Sequence, residues 1–518
     1  MNNEEYLIGI DSGTTAIKAV LFDIDGKEVA QHQIKVTGLT PYENWYEEDM
    51  NEIWEKAVLC IQAVSKEVDA DTIRGIGITG QGDGLWMIDE DGVPVRPGMC
   101  YCDGRTDEFI SKWREDGTLS KAFDICGTAA FGSAMTAEIR WVEKHEKENI
   151  DKAIVFFHVK DWLFYKMTGM ISSDESDMSL PLLNVETRRY DDELLRLFGI
   201  EQYKDKLPPV YPSEENYHEI LPEIAELFGL PEKTVIASGP MDIPACALSS
   251  GVIQDGQACT IMGTAAIHSL SMDKPGTEPH MTGMTFAHAP QQRWMRLLSS
   301  LSGTPNIEWF LREIGGKVIQ DAEKSGQNIY EYCSELIEKV PIGANGVVYH
   351  PYLMAAGERA PFFKSNIKAS FTGISFITTV ADMLRATYEG VALAMMDCYS
   401  RMPVEVKEVF CSGGGAKSAV WMQMFADAMG TDVVICEGDE HGARGAAMNC
   451  GVAIGIYKDF EDAVARIVKV RKRYTPIPEN TKKYQALYKL YVKGYSLMMD
   501  WWDLRTETMR SLGGTKNE

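Results

Sequence analysis

Asp242 is the residue whose type and neighbours are best suited to do chemistry. It ends the tight segment Ser238–Asp242, which contains Gly and Pro and precedes an apolar run. Most aspartates in such turns only shape the turn or cap a helix, so the residue alone predicts little. A carboxylate beside a bound alcohol can, however, accept the proton of its hydroxyl.

Two glycine-containing segments increase the interest of this aspartate. Asp11–Thr15 and Ile261–Thr264 place small residues where backbone amides can approach phosphate oxygens closely. In the first segment Thr14 and Thr15 offer hydroxyl donors, and Lys18 offers a nearby cation. A plain hairpin turn is the competing interpretation. Together with the aspartate, the segments suggest a base, a nucleotide and a hydroxyl to be phosphorylated.

The carboxylate of Asp11 would repel a phosphate unless a cation lay between them. Magnesium prefers oxygen ligands and usually keeps several of its waters. The sequence therefore predicts Mg²⁺ at Asp11, held through water. Gly13, Gly263 and Thr264 are the predicted phosphate contacts.

A third glycine segment contains Gly413, Gly414 and Gly415. It follows a predicted strand at 408–411, and Ser418 stands where the next helix should begin. Without side chains, the backbone lets a flat adenine or ribose lie against it, while the amides of the helix face polar atoms. A flexible turn is the alternative.

A polyhydroxylated acceptor needs paired donors and acceptors, together with an aromatic or apolar wall for its C–H faces. Two polar segments fit this description, and their candidate residues are Gln81, Asp83, Trp86, Asp103 and Arg105. Two structural alternatives stay open. Trp86 could be a core aromatic, and Arg105 could pair with Asp103 or with another nearby aspartate.

The elements around these residues alternate strands and helices. Residues 6–10 and 16–23 read as strands, with a third strand after a turn at 25–26, a helix over 51–68 and a strand over 75–79. The first glycine loop thus joins two paired strands, so it is neither a Walker loop nor a Rossmann turn. This order predicts an α/β fold.

The opening pattern recurs near residue 257, where strands at 257–262 and 266–271 flank the second glycine loop. This echo suggests two copies of one half. We predict domains at 1–253 and 254–480, followed by a helix and tail at 481–518. The terminal helix is expected over 482–501, with a core stripe formed by Tyr484, Leu487, Leu490, Tyr491 and Tyr495.

Length and composition limit the classes of function. The chain of 518 residues is longer than a single hydrophobic core usually supports. Its 51 basic and 76 acidic residues give a formal net charge of −25. This charge argues against nucleic-acid or membrane-surface partners. The 11 scattered cysteines and the lack of a signal-like start predict a cytoplasmic protein. The oligomeric state stays open, with a homodimer as one option.

Several motifs resemble the FGGY family of carbohydrate kinases. The most specific match spans Ala369–Ile374 and Asp382–Glu389; further similar segments are Gly357–Pro361, Tyr101–Arg105 and Glu440–Ala447. The resemblance covers roughly residues 6–475. It implies two actin-like (ribonuclease H-like) ATPase domains around a central cleft, which closes on the substrates.

The resemblance also implies roles for single residues. Asp242 matches the catalytic base of the family, and ATP would bind mainly to the second domain and the acceptor to the first. The first family signature is poorly kept, because Glu138 stands where the family usually has a lysine. The segment Gly80–Gly84 also departs from the versions usual in xylulokinases and glycerol kinases.

We therefore expect an ATP-dependent kinase for a small-molecule ketopentose such as D- or L-xylulose. A polyol kinase of the erythritol or glycerol type is the second hypothesis. An actin- or Hsp70-like ATPase without sugar transfer is a third, more distant one.

Overall fold

The computed structural model describes residues 5–513. Its strands are β1 (Tyr6–Ser12), β2 (Ala16–Asp23), β3 (Glu28–Lys35), β4 (Glu47–Glu48), β5 (Ile73–Gly80), β6 (Trp86–Ile88), β7 (Gly98–Met99), β8 (Val155–Phe157), β9 (Ser173–Asp174), β10 (Val210–Tyr211), β11 (Tyr217–Glu219), β12 (Val235–Ser238), β13 (Gln257–Met262), β14 (Ala266–Met272), β15 (Met284–Ala287), β16 (Trp294–Ser300), β17 (Val348–His350), β18 (Ser370–Thr372), β19 (Glu408–Ser412), β20 (Asp432–Cys436) and β21 (Val470–Tyr474).

The α-helices are α1 (Met50–Ser65), α2 (Asp107–Glu115), α3 (Thr118–Cys126), α4 (Met135–His145), α5 (Lys147–Lys152), α6 (Val159–Thr168), α7 (Glu175–Met178), α8 (Asp192–Phe198), α9 (Pro222–Phe228), α10 (Asp242–Ser249), α11 (Pro305–Glu313), α12 (Gly316–Ser325), α13 (Ile329–Glu338), α14 (Val380–Ser400), α15 (Ala419–Met429), α16 (His441–Ala453), α17 (Phe460–Ile467), α18 (Pro478–Leu497) and α19 (Met499–Ser511).

The chain divides into two compact units, each discontinuous along the sequence. The first contains residues up to 255 together with 271–296 and 438–469, and the second contains 256–270, 297–437 and residues from 470 onward. The predicted functional boundaries at 253 and 480 stay a prediction. Residues 514–518 of the predicted tail lie outside the described residues.

The sheet of the first unit has the strand order β11-β12-β5-β1-β2-β3. Strands β1, β5 and β12 run parallel, while β2 pairs antiparallel with β1 and β3 with β2. The antiparallel register of β1 and β2 confirms the predicted hairpin around the first glycine loop. Edge strand β11 is antiparallel to β12.

A second sheet has the seven-strand order β15-β16-β14-β13-β19-β20-β21. Apart from edge strand β15, it matches the order of the first sheet read from β3 to β11. Strand β13 pairs antiparallel with β14 and parallel with β19, which is parallel to β20; edge strand β21 is antiparallel to β20. The short echo in the sequence therefore reflects a repeated sheet topology. The mixed α/β architecture with two units confirms the predicted fold class.

Helix α16 lies directly against the sheet of the first unit. A Cβ at Gly9 would collide with the backbone of Ala443, and one at Gly77 would collide with the backbone of Ala446. Glycine is needed at both strand positions because the helix backbone approaches this closely. Helix α1 covers the other face of the sheet, and its Ile53 is buried in the hydrophobic core there.

The C-terminal helix differs from its prediction. A single helix was expected over 482–501, but α18 ends before Met498 and α19 begins at Met499. The amide of Met498 bonds to the carbonyl of Tyr495, which tightens the last turn, and no Gly or Pro in the sequence marks this break. Leu490 is 58% exposed, so it does not belong to the predicted core stripe.

None of the helices within residues 5–513 combines the length and apolar character needed to cross a bilayer.

Candidate active site

Three loops of the first unit meet because their preceding strands are parallel neighbours. Ser12 at the end of β1 is in register with Gly80 at the end of β5, and Ser238 of β12 is in register with Ile78 of β5. Loops that follow parallel strands emerge at one edge of the sheet, where α/β proteins usually bind ligands. The predicted phosphate loop, acceptor loop and base are therefore brought together.

Asp242 is the first residue of α10 and is half-buried. One carboxylate oxygen accepts a hydrogen bond from the amide of Ile243 at 2.7 Å. The preceding residue is anchored, because the amide of Met241 donates to Ser176 Oγ at 3.0 Å. Burial raises the pKa of Asp242 to about 7, and the negative charge of Asp11 adds to this rise.

Asp11 lies near the end of β1 with a half-buried carboxylate. Burial raises the pKa of Asp11 to about 6, partly opposed by the ammonium of Lys18. A side chain at Gly442 would collide with Asp11 Oδ2, so glycine at this position leaves room for the oxygen beside α16. Lys18, predicted as a phosphate cation, forms an ion pair with Glu440, so its charge is already compensated.

The phosphate loop and the acceptor loop are joined by side chains. Thr14 Oγ1 donates to Gln81 Oε1 at 2.9 Å, and Gln81 Nε2 lies 3.3 Å from both oxygens of Glu48. Gln81 is 4% exposed, whereas Thr15 is exposed and Gly13 is half-buried. Burial raises the pKa of Glu48 to about 7. A ligand bound beside Gln81 would therefore meet a side-chain amide whose orientation is fixed by Thr14 and Glu48.

Asp83 adopts a left-handed backbone conformation with φ of 60°, which is uncommon for a residue other than glycine. The next amide, of Gly84, donates to the carbonyl of Ser133 at 2.9 Å and so fixes the turn. Asp83 is 7% exposed, and burial raises its pKa to about 7. His158 opposes this rise and Asp177 increases it.

Behind Asp83 lies a buried charge cluster. Lys160 Nζ lies 2.8 Å from Asp161 and 3.1 Å from both Asp174 and Asp177, and His158 Nδ1 lies 3.3 Å from Asp177. Burial alone would lower the pKa of Lys160, but the three carboxylates outweigh it and hold the pKa well above its usual range. The side chains of His158, Asp161 and Asp177 lie close enough together to bind one metal ion. The ammonium of Lys160, however, already neutralises these carboxylates.

Three predicted acceptor residues make structural contacts, and their role toward an acceptor stays a prediction. Trp86 is 1% exposed and packs over Gly98 in the core, so we leave it out of the proposed site. The guanidinium of Arg105 binds Asp103 at 2.7 and 2.9 Å and Glu47 at 2.7 Å, and it stacks 3.8 Å from the centre of a Trp45 ring. Both side chains are therefore largely engaged by the protein, and only Nη1 of Arg105 is left without a hydrogen-bond partner among the described residues.

The second unit presents its own glycine hairpin. Gly263 lies between β13 and β14, and its carbonyl accepts hydrogen bonds from the amide and Oγ1 of Thr304, each at 3.0 Å. The amide of Gly303 donates to the carbonyl of Thr264 at 2.8 Å. Because Thr264 is exposed, its hydroxyl is available to a ligand.

The third glycine loop lies beside this hairpin, because Ile261 of β13 is in register with Ser412 of β19. A Cβ on Gly415 would lie 2.9 Å from Met262 Cβ, whereas one on Gly414 would meet no atom within 4 Å. Gly413 and Gly414 are exposed. Ser418 caps α15 by accepting a bond from the Trp421 amide at 3.3 Å. An open glycine surface thus precedes a capped helix, and its role as a nucleotide face stays a prediction.

Several residues of the site carried no signal in the sequence. Glu48, His158 and Asp177 reach the site from segments that contain no recognised chemical motif, and Glu440 begins a family-like segment in which no role was predicted for it. Glu389 of the second family signature makes structural contacts: it accepts from Arg385 of the same helix at 2.7 Å and from the amide of Gly343, outside α14, at 3.1 and 3.2 Å. Spatial neighbours of this kind cannot be read from spacing along one chain.

A repeated α/β sheet with glycine loops and a carboxylate at the strand ends is the arrangement of a two-domain sugar or polyol kinase. Models of the N-terminal and C-terminal domains of the FGGY family of carbohydrate kinases match residues 6–249 and 258–454. The chain belongs to this family. It is therefore an enzyme, and family membership implies that it uses ATP and a small-molecule acceptor.

Relatives with different substrates match almost the whole chain. An erythritol kinase of Brucella abortus (strain 2308) is 27% identical over 96% of this chain and 97% of its own. A gluconokinase of Bacillus subtilis (strain 168) is 28% identical over 94% of this chain and 95% of its own. The structure of a ligand-bound xylulose kinase from Lactobacillus acidophilus matches with a TM-score of 0.87 at 22% identity, covering 95% of this chain and 98% of that one.

Proposed function

We propose that this enzyme transfers the γ-phosphate of ATP to a hydroxyl of a ketopentose such as D- or L-xylulose, with Asp242 as the general base. The observation that carries the proposal is the position of Asp242. Its carboxylate is at the start of α10, beside the loops that follow β1 and β5, and burial gives it a pKa of about 7. This value suits a base that works near neutral pH.

In the proposed step, an acceptor hydroxyl donates its proton to Asp242 as the oxygen approaches phosphorus. The bond between γ-phosphorus and the bridging oxygen of ADP breaks as the new P–O bond forms. Phosphoryl transfer depends mainly on positioning and charge neutralisation, so a single base with oriented donors is sufficient protein chemistry. The anchoring of Met241 to Ser176 keeps the carboxylate in place.

The phosphate contacts are proposed separately for each unit. In the first unit, Gly13, Thr14 and Thr15 contact phosphate oxygens, while Asp11 would hold Mg²⁺ through water. Because Glu440 takes up the charge of Lys18, the half-buried oxygens of Asp11 are left to an oxygen-seeking cation. When bound, this ion would neutralise charge on the transferred phosphate.

The second unit is proposed to hold the nucleotide. Gly263 and Thr264 would contact its phosphates, and Gly413, Gly414, Gly415 and Ser418 would contact the adenosine. The exposed backbone at Gly414 supports this role, because a flat ring could lie there without meeting a side chain. This assignment agrees with the proposed functional domains, 1–253 for the acceptor and 254–480 for the nucleotide.

A C4 polyol such as erythritol is the second candidate acceptor. The observation that favours it is the near full-length match to the erythritol kinase of Brucella abortus. Gln81 and Asp83 would bind hydroxyls of either acceptor, since an amide and a carboxyl can pair with several hydroxyl patterns. A homodimer and a cytoplasmic location also stay predictions.

The test is ADP release measured with D-xylulose, L-xylulose, erythritol and glycerol, each against an acceptor-free reaction. We expect a ketopentose to stimulate release most strongly. Asp242→Asn should lower this rate by at least about 1,000-fold while ATP affinity changes less than about threefold, because the base acts only on the acceptor. Asp205→Asn, at an exposed position, is the matched control. Undiminished turnover by Asp242→Asn would refute the assignment of the base.

A further inference from the structure

Glu138 is a buried acid without a hydrogen-bonding partner. It lies one turn into α4 and is 0% exposed. Among the residues that the structure describes, neither of its carboxylate oxygens has a hydrogen-bond partner. A buried polar group left unpaired costs roughly 1–3 kcal/mol, so such a group usually faces a ligand or water.

The surroundings of Glu138 connect it to the acceptor loop. Its pKa lies well above the usual range because of burial and the carboxylates of Asp103 and Asp83, against opposing effects of Arg105 and Arg96. The start of α4 is also attached to that loop, since the carbonyl of Ser133 accepts from the amide of Gly84 at 2.9 Å. Glu138 therefore belongs to the same polar region as Asp83.

Two further polar atoms nearby have no partner within the described residues. They are the hydroxyl of Thr136, two residues before Glu138, and Nη1 of Arg105. Arg105 Nη1 and the two oxygens of Glu138, which interact electrostatically, match the needs of a ligand with several hydroxyls. Each hydroxyl can both donate and accept, so it can satisfy a carboxyl and a guanidinium alike.

The cations of this region are already engaged by protein carboxylates. Arg105 binds Asp103 and Glu47, and Arg96 binds Glu47 and also Glu146 at 2.8 Å. Within the described part of the first unit, these two cations thus offer little net positive charge to a ligand carboxylate. A lysine at position 138, usual in the family, would offer such a charge.

We propose that Glu138 and Asp83 together bind hydroxyl groups of the acceptor and restrict it to uncharged polyhydroxy compounds. This inference rests on the proposed kinase function and narrows its substrate class. Burial and the neighbouring carboxylates disfavour the ionised forms of Asp83 and Glu138, and they would disfavour the carboxylate of a sugar acid in the same way. A negative charge buried without a free cation disfavours binding, so aldonates such as gluconate should be rejected.

The test compares kcat/KM of the full-length enzyme for erythritol, D-xylulose and L-xylulose with its value for gluconate. We expect gluconate to be at least about 100-fold poorer than the best uncharged acceptor. A gluconate value equal to or above that of the uncharged acceptors would overturn the inference while leaving a carbohydrate kinase with Asp242 as base. Turnover of none of them would overturn the proposed function and the inference with it.

Three variants test the residues themselves. Glu138→Lys should raise the gluconate-to-erythritol ratio of kcat/KM at least about tenfold, and Glu138→Gln and Asp83→Asn should raise it less. Glu148→Lys makes the same charge change at an exposed position in α5 and should leave the ratio unchanged. Thermal melting identifies which variants are folded. If Glu138→Lys does not fold, the isosteric Glu138→Gln still tests the role of Glu138. An unchanged ratio in the folded variants would contradict the inference.

Discussion

Thr14 Oγ1 donates a hydrogen bond to Gln81 Oε1 at 2.9 Å, and this bond joins the loop after β1 to the loop after β5. The amide of Gln81 is thereby oriented with its nitrogen toward Glu48, 3.3 Å from each carboxylate oxygen. The proposed phosphate loop and acceptor loop are therefore mechanically coupled, although 67 positions separate the two residues.

This coupling predicts the effect of Thr14→Val. The substitution keeps the shape of the side chain but leaves Gln81 Oε1 without its donor, a loss of roughly 1–2 kcal/mol. We expect kcat/KM for both ATP and the acceptor to fall about tenfold, as measured by initial rates. Thr508→Val removes a hydroxyl from α19 that bonds within its own helix and serves as the control. An effect on only one substrate would contradict the coupling.

The raised pKa of Asp242 predicts a pH dependence of catalysis. A general base must be ionised to accept a proton, and burial together with Asp11 raises the pKa of this group to about 7. Log kcat/KM should therefore rise with unit slope below about pH 7 and become flat above it. The measurement is kcat/KM between pH 5 and 9 with stability checked at each value. A flat profile across pH 5–7 would exclude Asp242 as the titrating base.

Asp83 predicts a pH-dependent stability effect. The pKa of Asp83 is raised to about 7 in the folded protein, above its value of about 4 in the unfolded chain. Ionisation of Asp83 therefore does not affect the free energy of unfolding below about pH 4, and it lowers that free energy increasingly as the pH rises from about 4 to about 7. Asp83→Asn should therefore stabilise the protein at pH 8 by about 1–4 kcal/mol and change it little at pH 4. Urea unfolding at the two pH values measures this difference. Destabilisation by Asp83→Asn at pH 8 would contradict the prediction.

The buried cluster around Lys160 predicts a large stability loss. Lys160→Met removes the ammonium that Asp161, Asp174 and Asp177 share. Buried charges left without a partner cost roughly 3–5 kcal/mol, so the free energy of unfolding should fall by about this amount. Lys204→Met breaks an exposed ion pair and should cost less than about 1 kcal/mol. Equal effects of the two substitutions in chemical denaturation would disprove the role of the cluster.

Asp11 predicts the dependence on Mg²⁺. Asp11→Asn removes the negative charge proposed to hold the ion, so the concentration of free Mg²⁺ that gives half-maximal rate should rise at least about tenfold. Titration of Mg²⁺ at fixed ATP measures this shift, and Asp205→Asn is again the exposed control. The same Mg²⁺ requirement in wild type and Asp11→Asn would contradict the assignment.

The sequence predicted the local elements near the site well, because apolar periodicity and turn residues report directly on them. The strand bounds 16–23 and 257–262 coincide with β2 and β13. The break at Met498 was missed because the helix is interrupted there without any Gly or Pro.

The site was only partly predictable, for a physical reason. Asp242 and the glycine loops lie in short motifs, whereas Glu48 meets Gln81 only through the fold. The exposure of single side chains could not be predicted from the sequence either. A tryptophan such as Trp86 can line a site or fill a core, and the sequence does not distinguish the two. Only the packed structure shows it to be 1% exposed.

Helix α16 determines when the first unit can be completed during synthesis. The glycines at positions 9 and 77 lie against a helix that begins only at His441, after the segment 297–437 has been made. At roughly 5–20 residues per second, a ribosome needs roughly 7–30 s for that segment. Throughout this interval one face of the N-terminal sheet lacks its cover, so the nascent chain carries an exposed apolar surface that chaperones could bind.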